Sequence, residues 1–367
     1  MKVAHLDTGR SWRGGQQQVL LLLEGLRARG VESLLLAPPG PLLERAHAAA
    51  FEAREWRSAG EWDLAAVVTA RRHLSEFAPD LAHLHSAHAH TLGVLAARFA
   101  GGIPSVVSRR VDFAVATTPW SWLKYRLPVG RYFCISRGVI EVMKRGGVPE
   151  ERLALVPSGV RFASEDEVRA APDLRAELGL ARESRLIGTV AALAPHKNHA
   201  DLMRAAARVV AERADVHFVW LGEGECRPEL EAQRRALGLE SRVHLLGFRA
   251  GARAFVPQFT LFALASYLEG LCTSILDAQS LGVPVIATRT GGIPDLIEDR
   301  VNGRLVPVRD PAALAAALLE ALDHPDRPLA WARAAMSSVL EFSADRMVER
   351  SLEEYRRLIG PGQHPKP

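Results

Sequence analysis

Residues 261–287, LFALASYLEGLCTSILDAQSLGVPVIA, contain the repeating unit on which the fold depends. An apolar run at Leu261–Leu264 is followed by a polar loop, a helical pattern over Ser274–Leu281 and a second apolar run at Val283–Ala287. Continuous apolar runs are typical of parallel strands that are buried on both faces, and a helix must cross between two such strands. The segment therefore predicts a strand–helix–strand unit in a parallel sheet.

The same alternation extends over most of the chain. The other predicted strands are Lys2–Asp7, Ser33–Ala37, Leu81–His85, Ser105–Ser108, Tyr132–Ser136, Leu186–Ala191, His217–Leu221 and Val243–Leu246. The other predicted helices are Gly15–Arg29, Leu64–Phe77, Ala87–Ala100, Arg137–Arg145, Asp201–Arg213, Pro228–Leu237 and Pro311–Leu322. This order predicts an α/β protein with doubly wound sheets.

The alternation of predicted strands and helices is interrupted once, by the polar segment at residues 157–172. A chain of 367 residues exceeds the usual size of one domain. We therefore predict an N-terminal Rossmann-like domain over residues 1–165 and a C-terminal one over 166–343. Residues 344–367 are predicted to be an amphipathic helix and a flexible tail. Open α/β sheets bind ligands at the carboxyl ends of their strands, so a cleft between the two domains is the expected site.

Composition narrows the class of protein. A net charge of +4 without a lysine or arginine block argues against nucleic acid as a partner. The three cysteines are far apart, so they predict neither a disulfide framework nor a metal pair. No apolar stretch approaches the roughly 20 residues of a membrane span, and no cleavage signal is present. These features predict a cytoplasmic protein. Peripheral contact with a membrane remains open, although the aromatic and basic segment 119–132 is more typical of a half-buried helix.

The most informative motif is SYLEGLCTSILDAQS, residues 266–280. Glu269 follows a strand, a helix begins near Thr273, and Asp277 lies one turn further on. Backbone N–H groups at a helix start bind a diphosphate well, and a neighbouring carboxylate can accept hydrogen bonds from sugar hydroxyls. The alternative is an ordinary strand–loop–helix connection in which Glu269 is solvated.

Two further loops follow strands of the C-terminal half. In GTVAALAPHKNH, residues 188–199, Lys197 opens the next helix and could meet a phosphate as a point charge. In VWLGEGECRPEL, residues 219–230, Gly222 and Gly224 follow a strand, and Phe248 ends the next one. A lone GxG is equally typical of a tight turn.

The N-terminal half carries three candidate segments. Gly14 and Gly15 in WRGGQQQ allow close backbone approach to a phosphate, but the dinucleotide fingerprint GxGxxG is absent, which disfavours NAD. Arg109 and Arg110 follow another strand and favour an anion over a salt bridge to Asp112.

The third segment is the histidine series His83, His85, His88 and His90. Its spacing is compatible with metal ligands, but the aspartate of metallo-hydrolases is absent, so a structural role is favoured.

In their order along the chain, these motifs resemble those of glycosyltransferase family 4, and the resemblance covers almost the whole chain. The resemblance implies that Glu269 contacts the transferred sugar and that Asp277, in place of the usual glutamate, holds the ribose. It also implies that Lys197 holds the diphosphate. The family has a second basic residue at the position of Ala192. The missing positive charge would be supplied by Arg10, Arg13 or Arg109. The remaining donor contacts that it implies are Gly14, Gly15, Gly222, Gly224, Phe248, Gly270, Leu271, Cys272 and Thr273. Cys272 stands where a glycine is common.

The resemblance further implies the two-domain GT-B fold and retention of anomeric configuration by front-face displacement. The catalytic residues would be Glu269, Lys197 and Arg109, with His85 and Arg110 on the acceptor side. The donor would be a nucleotide-diphosphate sugar, with no metal and no other cofactor. The acceptor would be a glycan or a lipid-linked molecule in cell-surface synthesis. A nucleotide-sugar epimerase of the same fold and a non-catalytic two-lobed binding protein are the alternatives.

Overall fold

The computed structural model describes residues 1–115 and 118–360, except for the side chains at 119 and 120. The predicted flexible tail lies almost wholly outside the described residues. The chain forms two compact units. One contains Met1–Gly159 and the segment from Ala344 onward, and the other contains Val160–Ser343.

The first unit is built on a seven-stranded parallel sheet with the order β3-β2-β1-β4-β5-β6-β7. Its strands are β1 Lys2–Leu6, β2 Glu32–Ala37, β3 Glu52–Glu55, β4 Leu81–Leu84, β5 Ser105–Arg109, β6 Arg131–Cys134 and β7 Leu153–Leu155. The sequence patterns do not predict β3 and β7, nor the helix at Pro41–Ala48. Strand β3 lies at the sheet edge with the sequence EARE and is only half buried, so it has no apolar run, and β7 has only three residues.

Six helices connect these strands. They are α1 Gly14–Ala28, α2 Pro41–Ala48, α3 Leu64–Phe77, α4 Ala87–Phe99, α5 Pro119–Tyr125 and α6 Arg137–Arg145. Buried apolar residues of α1 belong to two core clusters, Leu22 and Leu26 to one and Val19 and Leu23 to another. No helix in the described part of the chain is long and apolar enough to cross a membrane.

The second unit contains a six-stranded parallel sheet with the order β10-β9-β8-β11-β12-β13. Its strands are β8 Arg185–Val190, β9 Val216–Leu221, β10 Val243–Leu245, β11 Leu261–Leu264, β12 Val285–Thr288 and β13 Arg304–Val306. Its helices are α7 Glu165–Arg169, α8 Leu174–Glu177, α9 His199–Glu212, α10 Arg227–Ala236, α11 Thr273–Ser280, α12 Pro311–Asp323 and α13 Asp326–Ser338. The sequence patterns do not predict the three-residue strand β13 or the helices α8 and α13, and α7 lies in the segment that was predicted to be irregular.

The last helix, α14 Ala344–Ile359, belongs to the first unit. Its buried face, including Met347, Val348 and Leu352, joins the core cluster that contains Leu22 of α1. Gly25 of α1 allows this approach, because a Cβ at Gly25 would lie 2.4 Å from the Val348 side chain.

The strand order reverses direction between β1 and β4 in the first sheet and between β8 and β11 in the second. Neighbouring strands at such a point send their connections to opposite faces of the sheet, which opens a crevice at their carboxyl ends. The two sheets with their crossover helices have the GT-B architecture that we predicted.

Candidate active site

Lys197 and Glu269 meet at the switch point of the second sheet. Lys197 ends the short 3-10 turn Pro195–Lys197 after β8, and Glu269 lies in the loop after β11. Lys197 Nζ lies 2.6 Å from Glu269 Oε1, with side-chain exposures of 16% and 7%. Lys197 therefore precedes α9 rather than opening it, because Asn198 with a φ of 52° separates the two helical segments.

Local hydrogen bonds hold Glu269 in position. The hydroxyl of the fully buried Ser266 donates to Glu269 Oε1 over 2.7 Å, and Gly292 N–H donates to the Glu269 carbonyl over 3.0 Å. Thr288 in turn donates its hydroxyl to the Ser266 carbonyl. The contacts of Lys197 and Ser266 both fall on Oε1, and neither of these two side chains contacts Oε2.

The amino end of α11 adjoins this pair. Cys272 precedes the helix without a side-chain cap, and Ile275 N–H donates to the Cys272 carbonyl over 3.1 Å. The amides of Thr273 and Ser274 are therefore the ones at this helix end that could meet an anion. Burial alone would lower the pKa of Lys197, but the electrostatic contributions of Cys272 and Glu269 outweigh it and raise that pKa. Lys197 is therefore a cation at neutral pH, beside a helix end that favours negative charge.

Asp277 lies one turn into α11, four residues after Thr273 and thus on the same side of the helix. Burial raises the pKa of the Asp277 carboxyl to about 6, and the charge of Arg253 only partly offsets this. The carboxylate and its protonated form therefore coexist near neutral pH, and a hydrogen-bond donor at this position would favour the carboxylate.

The glycine loop after β9 packs directly against the loop after β8. A Cβ at Gly222 would lie 1.8 Å from the Ala191 carbonyl oxygen, and one at Gly224 would lie 2.4 Å from that of Leu193. Leu193 N–H donates to the Glu223 carbonyl over 3.0 Å. Both glycines are therefore needed for packing of the two loops, whatever they contact in a ligand.

Phe248 follows β10 and is 78% exposed. A phenyl ring this open at the carboxyl edge of a sheet has no role in the core, and it is suited to stacking on a flat ring. Ala192, at the position where the resemblance implies a basic residue, is also exposed, and Leu271 is buried.

The first unit has its own polar cluster, at the switch point between β1 and β4. His5 pairs with His83 in the sheet register, and His5 Nδ1 lies 3.0 Å from His85 Nε2. His83 contacts the Tyr355 hydroxyl of α14 and the Ser108 hydroxyl. Burial lowers the pKa of all three histidines well below their ordinary range, to about 3 for His5, so the rings are neutral.

These three histidines are the group among the described residues whose donor atoms could surround a metal ion, since those atoms lie within 4.8 Å of one another. Both ring nitrogens of His83 already have hydroxyl partners, and the guanidinium of Arg110 approaches His85 to 3.5 Å. Those contacts favour a hydrogen-bonded cluster over a cation site. Of the four histidines singled out in the sequence, only His83 and His85 lie in this cluster. His88 is exposed, and His90 contacts the Tyr132 hydroxyl.

Two residues at the end of β1 were not identified from the sequence, His5 and Asp7. Asp7 is 1% exposed, and its Oδ1 accepts hydrogen bonds from Gly9 N–H and from Gln16 Nε2, at 2.5 and 3.2 Å. Burial raises the pKa of the Asp7 carboxyl, although those hydrogen bonds and the charge of Arg110 oppose the shift. Their position at the carboxyl end of a predicted strand was the signal that could have singled them out.

The neighbouring arginines Arg109 and Arg110 point to different environments. Arg109 donates to the Phe113 carbonyl, and its guanidinium lies 6.0 Å from the centre of the Tyr125 ring. Arg110 approaches His85, and its Cδ lies 3.9 Å from the place of a Cβ on Gly15. The structure thus brings Arg110, rather than Arg109, together with His85 and Gly15.

Gly14 and Gly15 begin α1, in agreement with the predicted helix start to within one residue. A Cβ at Gly14 would have no heavy atom within 4 Å.

In the aromatic and basic segment, residues 119–132, Lys124 is buried against Glu61 at 2.7 Å, whereas Trp122 and Leu123 are exposed. The described side chains of α5 are thus partly buried and partly exposed, as expected for the predicted half-buried helix.

Two family models match the chain. The model described as Glycosyltransferase Family 4 matches residues 12–163, and the model described as Glycosyl transferases group 1 matches residues 184–324. The chain is 28% identical over 275 residues to the UDP-Gal:alpha-D-GlcNAc-diphosphoundecaprenol alpha-1,3-galactosyltransferase of Escherichia coli, and the match covers 71% of each chain.

The chain is also 33% identical over 235 residues to the D-inositol 3-phosphate glycosyltransferase of Salinispora tropica, with 60% of this chain and 49% of that protein covered. The chain thus spans about half the length of that relative. Among solved structures, Anabaena Alr3699/HepE in complex with UDP superposes with a TM-score of 0.85 at 20% identity, covering 97% of this chain and 100% of that one.

Proposed function

Because the chain belongs to glycosyltransferase family 4, and so transfers a sugar from a nucleotide sugar, we propose that it retains anomeric configuration and uses Lys197 and Glu269 as its central donor residues. The observation that carries this proposal is the ion pair of 2.6 Å between them at the switch point of the second sheet. We propose a UDP-sugar as the donor, since the E. coli relative is named for UDP-Gal and the Anabaena structure contains UDP.

Each residue has a role that follows from its chemistry. Lys197 and the amides at the start of α11 would stabilise the negative charge that develops on the leaving diphosphate. Glu269 Oε2 would accept hydrogen bonds from sugar hydroxyls and hold the anomeric carbon in place. The leaving diphosphate would take the proton of the acceptor hydroxyl on the same face of the sugar. Asp277 would bind the ribose and Phe248 the base.

We propose a lipid-linked or other cell-surface glycan as the acceptor. The support is the E. coli relative, which is named for a diphosphoundecaprenol acceptor. The exposed Trp122 and Leu123 on α5 would suit contact with a membrane surface that carries such an acceptor.

The test is transfer and donor hydrolysis by Glu269→Ala and Lys197→Ala, with a panel of UDP, GDP, ADP and dTDP sugars. We expect each variant to lose about 100- to 1,000-fold in kcat, as for other groups that stabilise a developing charge. The exposed residues Glu240 and Lys144 supply matched controls as Glu240→Ala and Lys144→Ala. Full activity in both site variants would refute the assignment, and an epimerised donor formed without acceptor would favour the epimerase instead.

A further inference from the structure

Arg309, in the second unit, adopts a backbone conformation that favours glycine. It lies three residues after β13 and has a φ of 57°. A residue with a Cβ is strained in this left-handed region, because the Cβ comes close to the following carbonyl oxygen. Glycine at the same position would remove the strain. Such a residue usually persists because its side chain makes a contact or serves a function that glycine cannot.

The contact that Arg309 makes is with the ring of Tyr267. The guanidinium carbon lies 4.9 Å from the ring centre, which is within the range of a cation–π interaction. Strand β12 separates β11 from β13 in the sheet, so the exposed Arg309 side chain spans about 10 Å of the sheet edge to reach this ring. Arg309 forms no salt bridge with any residue that the structure describes, so the ring is the partner of its positive charge.

Tyr267 belongs to the loop that carries Glu269, two residues further on. The Tyr267 N–H donates to the His196 carbonyl, next to Lys197, over 3.0 Å. The Thr290 hydroxyl donates to the Tyr267 carbonyl over 2.9 Å. The loops after β8 and β12 therefore hold the Tyr267 backbone from both sides. These bonds do not hold its ring, and the ring is the part that Arg309 covers.

The magnitudes of the two effects indicate a role in the reaction more than in stability. A cation–π contact at an exposed site is weak, and a left-handed non-glycine residue costs at least as much as such a contact contributes. Arg309 is therefore not explained as a residue that stabilises the fold. A weak contact can still fix the direction of a side chain, and small displacements of substrate-positioning groups have large effects on rate.

We propose that Arg309 is a positioning residue for sugar transfer, which holds the ring of Tyr267 and thereby limits the movement of the loop that carries Glu269. This inference rests on the proposed function, since Glu269 is the residue that is positioned. Arg309 should have little effect on the nucleotide, because Phe248 follows β10, at the other edge of the sheet from β13. Turnover should therefore depend on Arg309, and UDP affinity should not.

The experiment compares the full chain with its Arg309→Gly variant, which removes both the contact and the strain. We expect the melting temperature to be equal to or above that of the parent. We expect kcat for hydrolysis of the nucleotide sugar that the parent prefers to fall about three- to tenfold, and the Kd for UDP to stay within about twofold. Arg300→Gly is the matched control, because Arg300 is an exposed arginine with a φ of 66° that precedes β13, at the opposite end of the strand. It should show a similar melting temperature and the parental kcat.

A double-variant cycle tests whether Arg309 acts through Tyr267. We expect Tyr267→Leu to lower kcat as much as Arg309→Gly, and the double variant to be no slower than either. Tyr267→Phe should keep the parental kcat, because the ring remains. Additive losses, or the parental kcat in Arg309→Gly, would overturn the proposal.

A lower melting temperature in Arg309→Gly, with parallel losses of kcat and UDP affinity, would indicate a purely structural role and would also overturn it. Glu269→Ala in the same assay separates this inference from the proposed function. An inactive Glu269→Ala beside a fully active Arg309→Gly refutes the positioning role alone. Full activity in Glu269→Ala refutes the proposed function and the positioning role with it.

Discussion

Lys197 Nζ lies 2.6 Å from Glu269 Oε1, although 72 residues separate them in the chain. The two side chains are brought together because β8 and β11 are neighbours at the switch point of their sheet. The pair joins the group that would bind the sugar to the group that would bind the diphosphate. Several expected consequences of this arrangement can be measured.

Removal of one member of the pair should cost stability as well as activity. An uncompensated buried charge typically costs about 3 kcal/mol, and partial exposure of Lys197 places the expected loss somewhat below that. We expect Lys197→Met and Glu269→Gln each to lower the melting temperature, and the double variant to be more stable than the sum of both effects predicts. Strict additivity in calorimetry would show that the ion pair is not energetically coupled.

Ser266 should act on the reaction through Glu269. Its hydroxyl donates to Glu269 Oε1 over 2.7 Å, so Ser266→Ala removes one of the two side-chain contacts that orient the carboxylate and leaves Lys197 as the other. We expect kcat/KM to fall about tenfold, which corresponds to about 1.4 kcal/mol, while UDP affinity is unchanged. Thr69→Ala, which removes an exposed hydroxyl of α3, is the control. Equal kinetics for Ser266→Ala and the parent would rule out this positioning role.

Donor affinity should depend on pH through Asp277. Its pKa is raised to about 6, and ribose hydroxyls bind the carboxylate better than the protonated acid. Affinity should therefore be full only well above pH 6 and should fall as the pH drops through that value, approaching tenfold per pH unit at lower pH. We expect Asp277→Asn to bind UDP more weakly and without this dependence between pH 5 and 7. An identical pH profile in the variant would contradict the role of Asp277.

Phe248 should contribute to nucleotide binding and little to stability, since its ring is 78% exposed. We expect Phe248→Ala to change the free energy of unfolding by less than about 0.5 kcal/mol. Loss of stacking should weaken UDP binding by about 1 kcal/mol. Leu329→Ala, which truncates an exposed apolar side chain of the same unit, is the control for both measurements. Unaltered UDP affinity in Phe248→Ala would remove this residue from the site.

The glycines should divide into those needed for packing and those tolerant of a side chain. Gly222→Ala places a methyl group 1.8 Å from a backbone oxygen, so we expect a large drop in melting temperature. Gly14→Ala meets no atom within 4 Å and lies in a helix, so we expect equal or greater stability, by up to about 1 kcal/mol. A donor-binding defect in Gly14→Ala would then report ligand contact alone. The reverse order of stabilities would contradict this packing.

The sequence by itself determined the architecture and the motif order. Buried parallel strands are continuous apolar runs, so the major strands and their crossover helices could be read directly, and the position of Glu269 and Lys197 after strands followed. The missed strands β3, β7 and β13 are edge or three-residue elements. Their pairing depends on neighbours in the sheet and not on a local pattern of apolar residues.

Only the tertiary structure decided which side chains meet. The contact between His5 and His85 depends on β1 and β4 being neighbours in the sheet. Arg109 and Arg110 point in different directions because successive side chains alternate at the end of β5. Asp7 was missed because a single aspartate after a strand has no spacing motif. Hydrogen bonds, burial and pKa shifts of this kind arise between residues distant in the chain, so local sequence carries no direct record of them.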